Sequence, residues 1–185
     1  LFRSEGTAGQ LQDISKLTLV QELNDVEKLY FPSDQKIAYI TQTTLSVFDT
    51  QEIVDALEKK FPQILAPKKS DICYATSNRQ TSVQEIAKNV DAFFVIGAFN
   101  SSNSIRLVET AKRFGCDYSE LIENIDNFDY QKLNQYESIG LTASASAPEK
   151  QLNLFIDRVK ENYKPEVVDY KEDENIVFKV PNFLN

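Results

Sequence analysis

Five small polar residues, Asn100, Ser101, Ser102, Asn103 and Ser104, follow almost directly on the apolar run 93–97, and a helical pattern begins at once. A helix start presents unpaired backbone N–H groups and the positive end of the helix dipole, which together seat an anion. Short hydroxyl and amide donors at such a start let a phosphate approach the backbone closely. The same residue types are the commonest N-caps. One cap needs one residue and this run supplies five, so it reads either as a cap or as an anion seat. Two further runs have the same outline, a strand-like segment and then small polar residues: "IAYITQTTLS" and "SIGLTASASAP". In a parallel α/β sheet the strand C-termini form the ligand-binding edge, so three such runs are expected on one rim if their strands share an edge. They would make a diphosphate pocket with no lysine or arginine in contact.

Cys73, in "DICYATSNRQ", precedes a capped helix. A lone cysteine is more often a small buried hydrophobe than a ligand or nucleophile, and spacing alone leaves Cys73 with the first reading. Cys116 follows a Gly115 helix stop and reads as structural, and Lys68 and Lys69 read as a solvated turn.

The chain has 185 residues, 42% hydrophobic and 26% charged, with net charge −8. That composition is globular. The acidic balance argues against a nucleic-acid partner. No apolar run approaches the ~18 residues of a membrane helix and no signal peptide opens the chain, which predicts a cytosolic protein, or an organellar one after processing. Two cysteines are too few for a disulfide framework. There is no histidine, so neither a Ser-His-Asp triad nor a histidine-ligated zinc can be built from this chain alone.

The elements that must position these groups alternate between strand and helix, which predicts an α/β fold with mainly parallel sheets and flanking helices. "KIAYIT" (36–41) reads as a strand. "DTQEIVDALEKKF" (49–61) reads as a helix with Asp49 and Glu52 as a capping box, stopped by Pro62. A short helix is predicted over 82–90 from Ser82 and Glu85, a buried strand at 93–97, and a helix from there to about Phe114. A strand at 138–142 and a helix at 147–163, with Pro148 in its first turn, complete the pattern. The tail "YKEDENIVFKVP" reads as a charged linker and one edge strand.

In series, "TQTTLSVFDT", "APKKSDICYATSNRQ", "NSSNSIRL" and "TASASAP" resemble the later part of the 4-hydroxy-3-methylbut-2-enyl diphosphate reductase family, from about Gly6 to the tail. Those enzymes close the non-mevalonate isoprenoid pathway. The resemblance implies two of three pseudo-repeated α/β domains: a partial middle domain at 1–69, the last domain at 70–163, and an arm at 164–185. It implies that Cys73 is one of three thiolates on a [4Fe-4S] cluster, with one iron left open for the substrate hydroxyl. Ser101, Ser102, Asn103 and Ser146 would hold the diphosphate, Thr43 would join a proton relay, and Thr76 would lie near the cluster. The implied electron donor is a ferredoxin or flavodoxin.

By the same resemblance the other two cysteines and the substrate-binding histidines would precede residue 1, and the chain alone would be inactive. Three departures stand out. "LFRSEGT" occupies the place of a His-Pro-Glu run before Gly-Thr, with Arg3 where the glutamate belongs; Phe99 precedes "NSSNS" where a lysine is frequent; and Ser144 replaces a glycine. The rival reading is a non-redox α/β module that binds a phosphorylated metabolite.

Overall fold

A computed structural model of the chain describes residues 8–67 and 71–168. The backbone divides into two compact units, one from residues 8–40 and 48–67, the other from 41–47 and 71–168. The segment 41–47, which carries "TQTTLS", therefore groups with the second unit.

The first unit holds a short 3-10 turn, Ile14–Lys16, and helices α1 (Leu23–Lys28) and α2 (Val47–Lys60), the latter starting in segment 41–47. Val26, Leu57 and Phe61 form its core, with Phe31 edge-on to Phe61 at 5.4 Å. The predicted strand over 36–41 is not formed: residues 36–41 make an isolated parallel bridge, Ala38 to Leu65. Two backbone bonds support it, Tyr39 N–H to Leu65 O and Leu65 N–H to Ile37 O, too short a ladder for a strand. The predicted capping box at Asp49 is also displaced. Helix α2 begins two residues earlier, which puts Asp49 inside its first turn, still where a negative charge suits the helix dipole.

The second unit is a parallel sheet in the order β2-β1-β3, built from β1 (Ala92–Ile96), β2 (Tyr118–Ile122) and β3 (Ile139–Ala143), with α3 (Tyr74–Ala87), α4 (Ser102–Arg113) and α5 (Glu149–Tyr163) around it. Central β1 is buried on both faces, as an apolar run without alternation requires. Phe93 and Val95 pack with Val83, Ala87, Leu107 and Ala111 of α3 and α4, whereas Phe94 and Ile96 pack with Phe155 and Val159 of α5. The unit is thus a three-layer α/β sandwich. Ala92 pairs with Tyr118 and with Ile139. Asp91 sets the second pairing: its carboxylate accepts from Glu137 N–H, Ser138 N–H and the Ser138 hydroxyl.

The helix predicted at 82–90 is the second half of the longer α3. Ser82 lies inside it and donates to Asn78 O, so it is no cap. Helix α4 ends as expected, with Gly115 at φ 109, a left-handed conformation that a Cβ would strain. Helix α5 begins one residue past Pro148, which serves as its N-cap. Strand β2 is absent from the sequence reading. The edge strand expected in the tail, Arg3 and the Lys68–Lys69 turn fall outside the described residues. No helix among the described residues is long and apolar enough to cross a membrane.

Candidate functional site

The connection out of β1 leads to α4 on one face of the sheet, and that out of β3 leads to α5 on the other. Because these two connections leave to opposite faces, the C-terminal ends of the neighbouring strands are where open α/β sheets bind ligands. Two polar runs lie there: 98–104 after β1 and 144–147 after β3.

The first run divides its labour. Ser101 is the N-cap of α4, its hydroxyl oxygen accepting from Ser104 N–H at 3.3 Å, so the capping reading holds for that residue. Ser102 opens the helix, partly exposed. Asn103 and Ser104 are buried, 5% and 0% exposed, yet among the described residues neither amide atom of Asn103 nor the Ser104 hydroxyl meets a hydrogen-bond partner. A buried polar group left unpaired costs about 1–3 kcal/mol. Three such atoms in adjacent side chains at a helix N-terminus leave hydrogen-bonding capacity that a partner from outside the fold can take up.

The floor beneath them is Gly97. A Cβ there would stand 2.3 Å from Ser104 Oγ and 2.9 Å from Ser144 Oγ, so only glycine fits between the two hydroxyls. From the second run, Ser144 is buried; its N–H donates to Ile96 O at 2.8 Å and its hydroxyl lies 3.3 Å from that of Ser146, which is exposed. Ser144 thus fits without strain in its own backbone, and its added oxygen steadies Ser146.

Helix α3 runs back along the sheet, so its N-terminal turn lies at this same edge. Arg79 ties it there, Nε donating to Ala143 O, the end of β3, at 3.2 Å. Cys73 occupies the N-cap position as a free, exposed thiol without a side-chain cap bond; its carbonyl accepts from the N–H groups of Thr76 and Ser77. Thr76 is buried one turn in. Segment 41–47 is strapped to this turn: Cys73 N–H donates to Thr43 O at 3.2 Å, Thr41 N–H to the Asp71 carboxylate at 2.8 Å, and buried Gln80 accepts from Val47 N–H while donating to Leu45 O, both at 3.0 Å. Thr43 is exposed. One edge of the second unit therefore collects Thr43, Cys73, Ser102, Asn103 and Ser146.

Cys116 lies at the opposite edge, just before β2, buried with Sγ 3.4 Å from Tyr118 O. Burial pushes its thiol pKa up. Among the described residues no group of three metal-ligating side chains occurs. As a free, exposed thiol Cys73 can offer a single thiolate to a metal group, and the other free cysteine among the described residues, Cys116, is buried at the opposite edge.

Sequence reasoning passed over Gly97, Gln80 and Arg79, and it named Ser104 only as one of the five polar residues of its run. A glycine closing an apolar run before five polar residues was a usable signal for the first. Arg79 offered another, because its helix neighbours at three and four residues, Ala75, Thr76, Ser82 and Val83, include no acid. Nothing local distinguished Gln80.

The family model described as "LytB protein" matches residues 3–160. Among curated relatives, the 4-hydroxy-3-methylbut-2-enyl diphosphate reductase of Ruegeria sp. (strain TM1040) is 45% identical over 181 residues, 97% of this chain and 57% of that protein. The enzyme of the same name from Proteus mirabilis is 43% identical over 182 residues, with the same two coverages. The solved E-1-hydroxy-2-methyl-but-2-enyl-4-diphosphate reductase from Plasmodium falciparum superposes with a TM-score of 0.79 at 37% identity, covering 90% of this chain and 54% of that one. The chain spans a little over half the length of these relatives. With the match running through every element of the rim, the chain belongs to the LytB family.

Proposed function

We propose that this chain is the diphosphate-holding portion of an enzyme that reductively removes the hydroxyl of 4-hydroxy-3-methylbut-2-enyl diphosphate. Two electrons and two protons enter, the C–O bond breaks, water leaves, and isopentenyl or dimethylallyl diphosphate forms. The names of the relatives support the substrate, and the unmet polar atoms of Asn103 and Ser104 carry the reading. In it, Ser101, Ser102, Asn103 and Ser146 hold the diphosphate, with the α4 N-terminus facing its charge. Gly97 leaves the depth that the phosphate needs.

Cys73 is one of three thiolates on a [4Fe-4S] cluster, with Thr76 beneath it. When bound, that cluster supplies electrons and a Lewis-acidic iron. Thr43, held beside Cys73 through the backbone, presents its hydroxyl to the substrate hydroxyl as a link in a proton relay. The two units represent two of three pseudo-repeated domains of the longer enzyme; the other cluster ligands lie elsewhere in it, and a ferredoxin or flavodoxin donates electrons. One thiolate cannot hold such a cluster, so this chain alone is inactive.

The test uses the full-length protein prepared anaerobically. Cys73→Ser should lower bound iron and acid-labile sulfide together, and Ser102→Ala should weaken inorganic pyrophosphate about tenfold. Unchanged cluster content with weakened pyrophosphate would leave the non-redox binding module; unchanged pyrophosphate affinity overturns the diphosphate seat.

A further inference from the structure

Every side chain nominated above for the diphosphate is neutral, yet a cation is built in beside them. Arg79 is partly buried and its guanidinium is held by two carbonyls: Nε donates to Ala143 O at 3.2 Å and Nη1 to Ala75 O at 2.9 Å. Both acceptors are uncharged. Among the described residues no carboxylate pairs with it, in a chain that carries 28 acidic residues against 20 basic ones. Arg106, Lys132 and Arg158, elsewhere in the same unit, each have an acidic partner. Withdrawing a cation from water without an anion is unfavourable unless another group later supplies the negative charge. The residue after Ala143 is Ser144, whose hydroxyl lies 3.3 Å from that of Ser146.

We propose that Arg79 is the fixed positive charge of the anion seat, clamped beneath the 144–147 loop so that a bound diphosphate is attracted through space while the Ser and Asn donors make the contacts. This rests on the reading of the rim as a diphosphate seat. It explains how short neutral donors hold a multiply charged group. It also explains the arginine: the planar fork fixes the charge at one place using two backbone oxygens, and no acid cancels it.

Calorimetric titration of inorganic pyrophosphate into the full-length protein, at low and raised ionic strength, tests it. Arg79→Gln should bind about tenfold more weakly with a shallower salt dependence, and Arg79→Lys, which keeps the charge, should retain most of the affinity. A glutamine variant that binds as tightly as wild type overturns the proposal, as does a lysine variant weakened as much as the glutamine one, since the two carbonyl bonds alone would then matter. If neither variant folds, wild type decides: its affinity for a phosphate monoester should rise as the ester gains its second charge near about pH 6, and a flat profile overturns the proposal. Wild-type protein that takes up no pyrophosphate would overturn the diphosphate seat itself, a different failure.

Discussion

Two buried polar side chains in the same unit have opposite fates. Gln80 has both ends of its amide engaged, accepting from Val47 N–H and donating to Leu45 O, and it is fully buried. Asn103, 5% exposed, has neither end engaged among the described residues. Gln80 fastens a segment, and folding itself settles its hydrogen bonds. Asn103 stands at a helix N-terminus with its capacity unspent. A buried amide that the fold satisfies is structural, whereas one left unsatisfied at a helix N-terminus keeps its capacity for a partner from outside the fold.

The harshest way to break the contrast is Gly97→Ala. The new methyl must displace the Ser104 and Ser144 hydroxyls, so pyrophosphate heat should vanish in calorimetry, with about 1–3 kcal/mol of stability lost to overpacking. Retained binding would mean that the anion does not use this floor. Next comes Gln80→Leu, which strands Val47 N–H and Leu45 O. Chemical denaturation should show a loss of about 2 kcal/mol, while the folded fraction still binds pyrophosphate. A binding loss without a stability loss would place Gln80 in the site and erase the distinction.

The smallest effect sharpens it from the far edge of the sheet, where Asp91 is a satisfied group of the Gln80 kind. Hydrogen bonds from Ser138 N–H first, then from the Ser138 hydroxyl and Glu137 N–H, hold its carboxyl below the ordinary carboxylate value. Its folded pKa is depressed, so its stabilising share is present above about pH 4 and is shed as pH falls through the lowered value. Asp91→Asn should therefore lower the thermal midpoint slightly at neutral pH, with the gap to wild type closing in acid. A gap that widens in acid would contradict the role given to Ser138.

Much of this was legible in the sequence. The unalternating run 93–97 announced a strand buried on both faces, and Gly115 announced the end of α4. The i, i+3, i+4 pattern of Leu152, Phe155, Ile156 and Val159 announced α5. Three features were hidden. Strand β2 is an edge strand whose first residue is exposed and whose last is buried, so "YSELI" lacks a strand period. "KIAYIT" has strand propensity, but residues 36–41 meet a single bridge partner, and propensity without a ladder makes no strand. Ser82 and Glu85 have capping-box spacing inside a longer helix, whose earlier turns carry the Arg79 and Gln80 that fasten β3 and segment 41–47. As for the site, the sequence named the polar runs, but the division within "NSSNS" between Ser101 as cap and Asn103 with Ser104 as unmet donors depends on which side chains the helix turns inward.

Asn103→Ala in the full-length protein, with pyrophosphate affinity and thermal midpoint measured on the same sample, puts the contrast to the most direct test. Pyrophosphate should bind about tenfold more weakly, while the midpoint stays level or rises because an unpaired buried amide has gone. An unchanged affinity with a lowered midpoint would contradict this, making Asn103 a structural amide of the Gln80 kind.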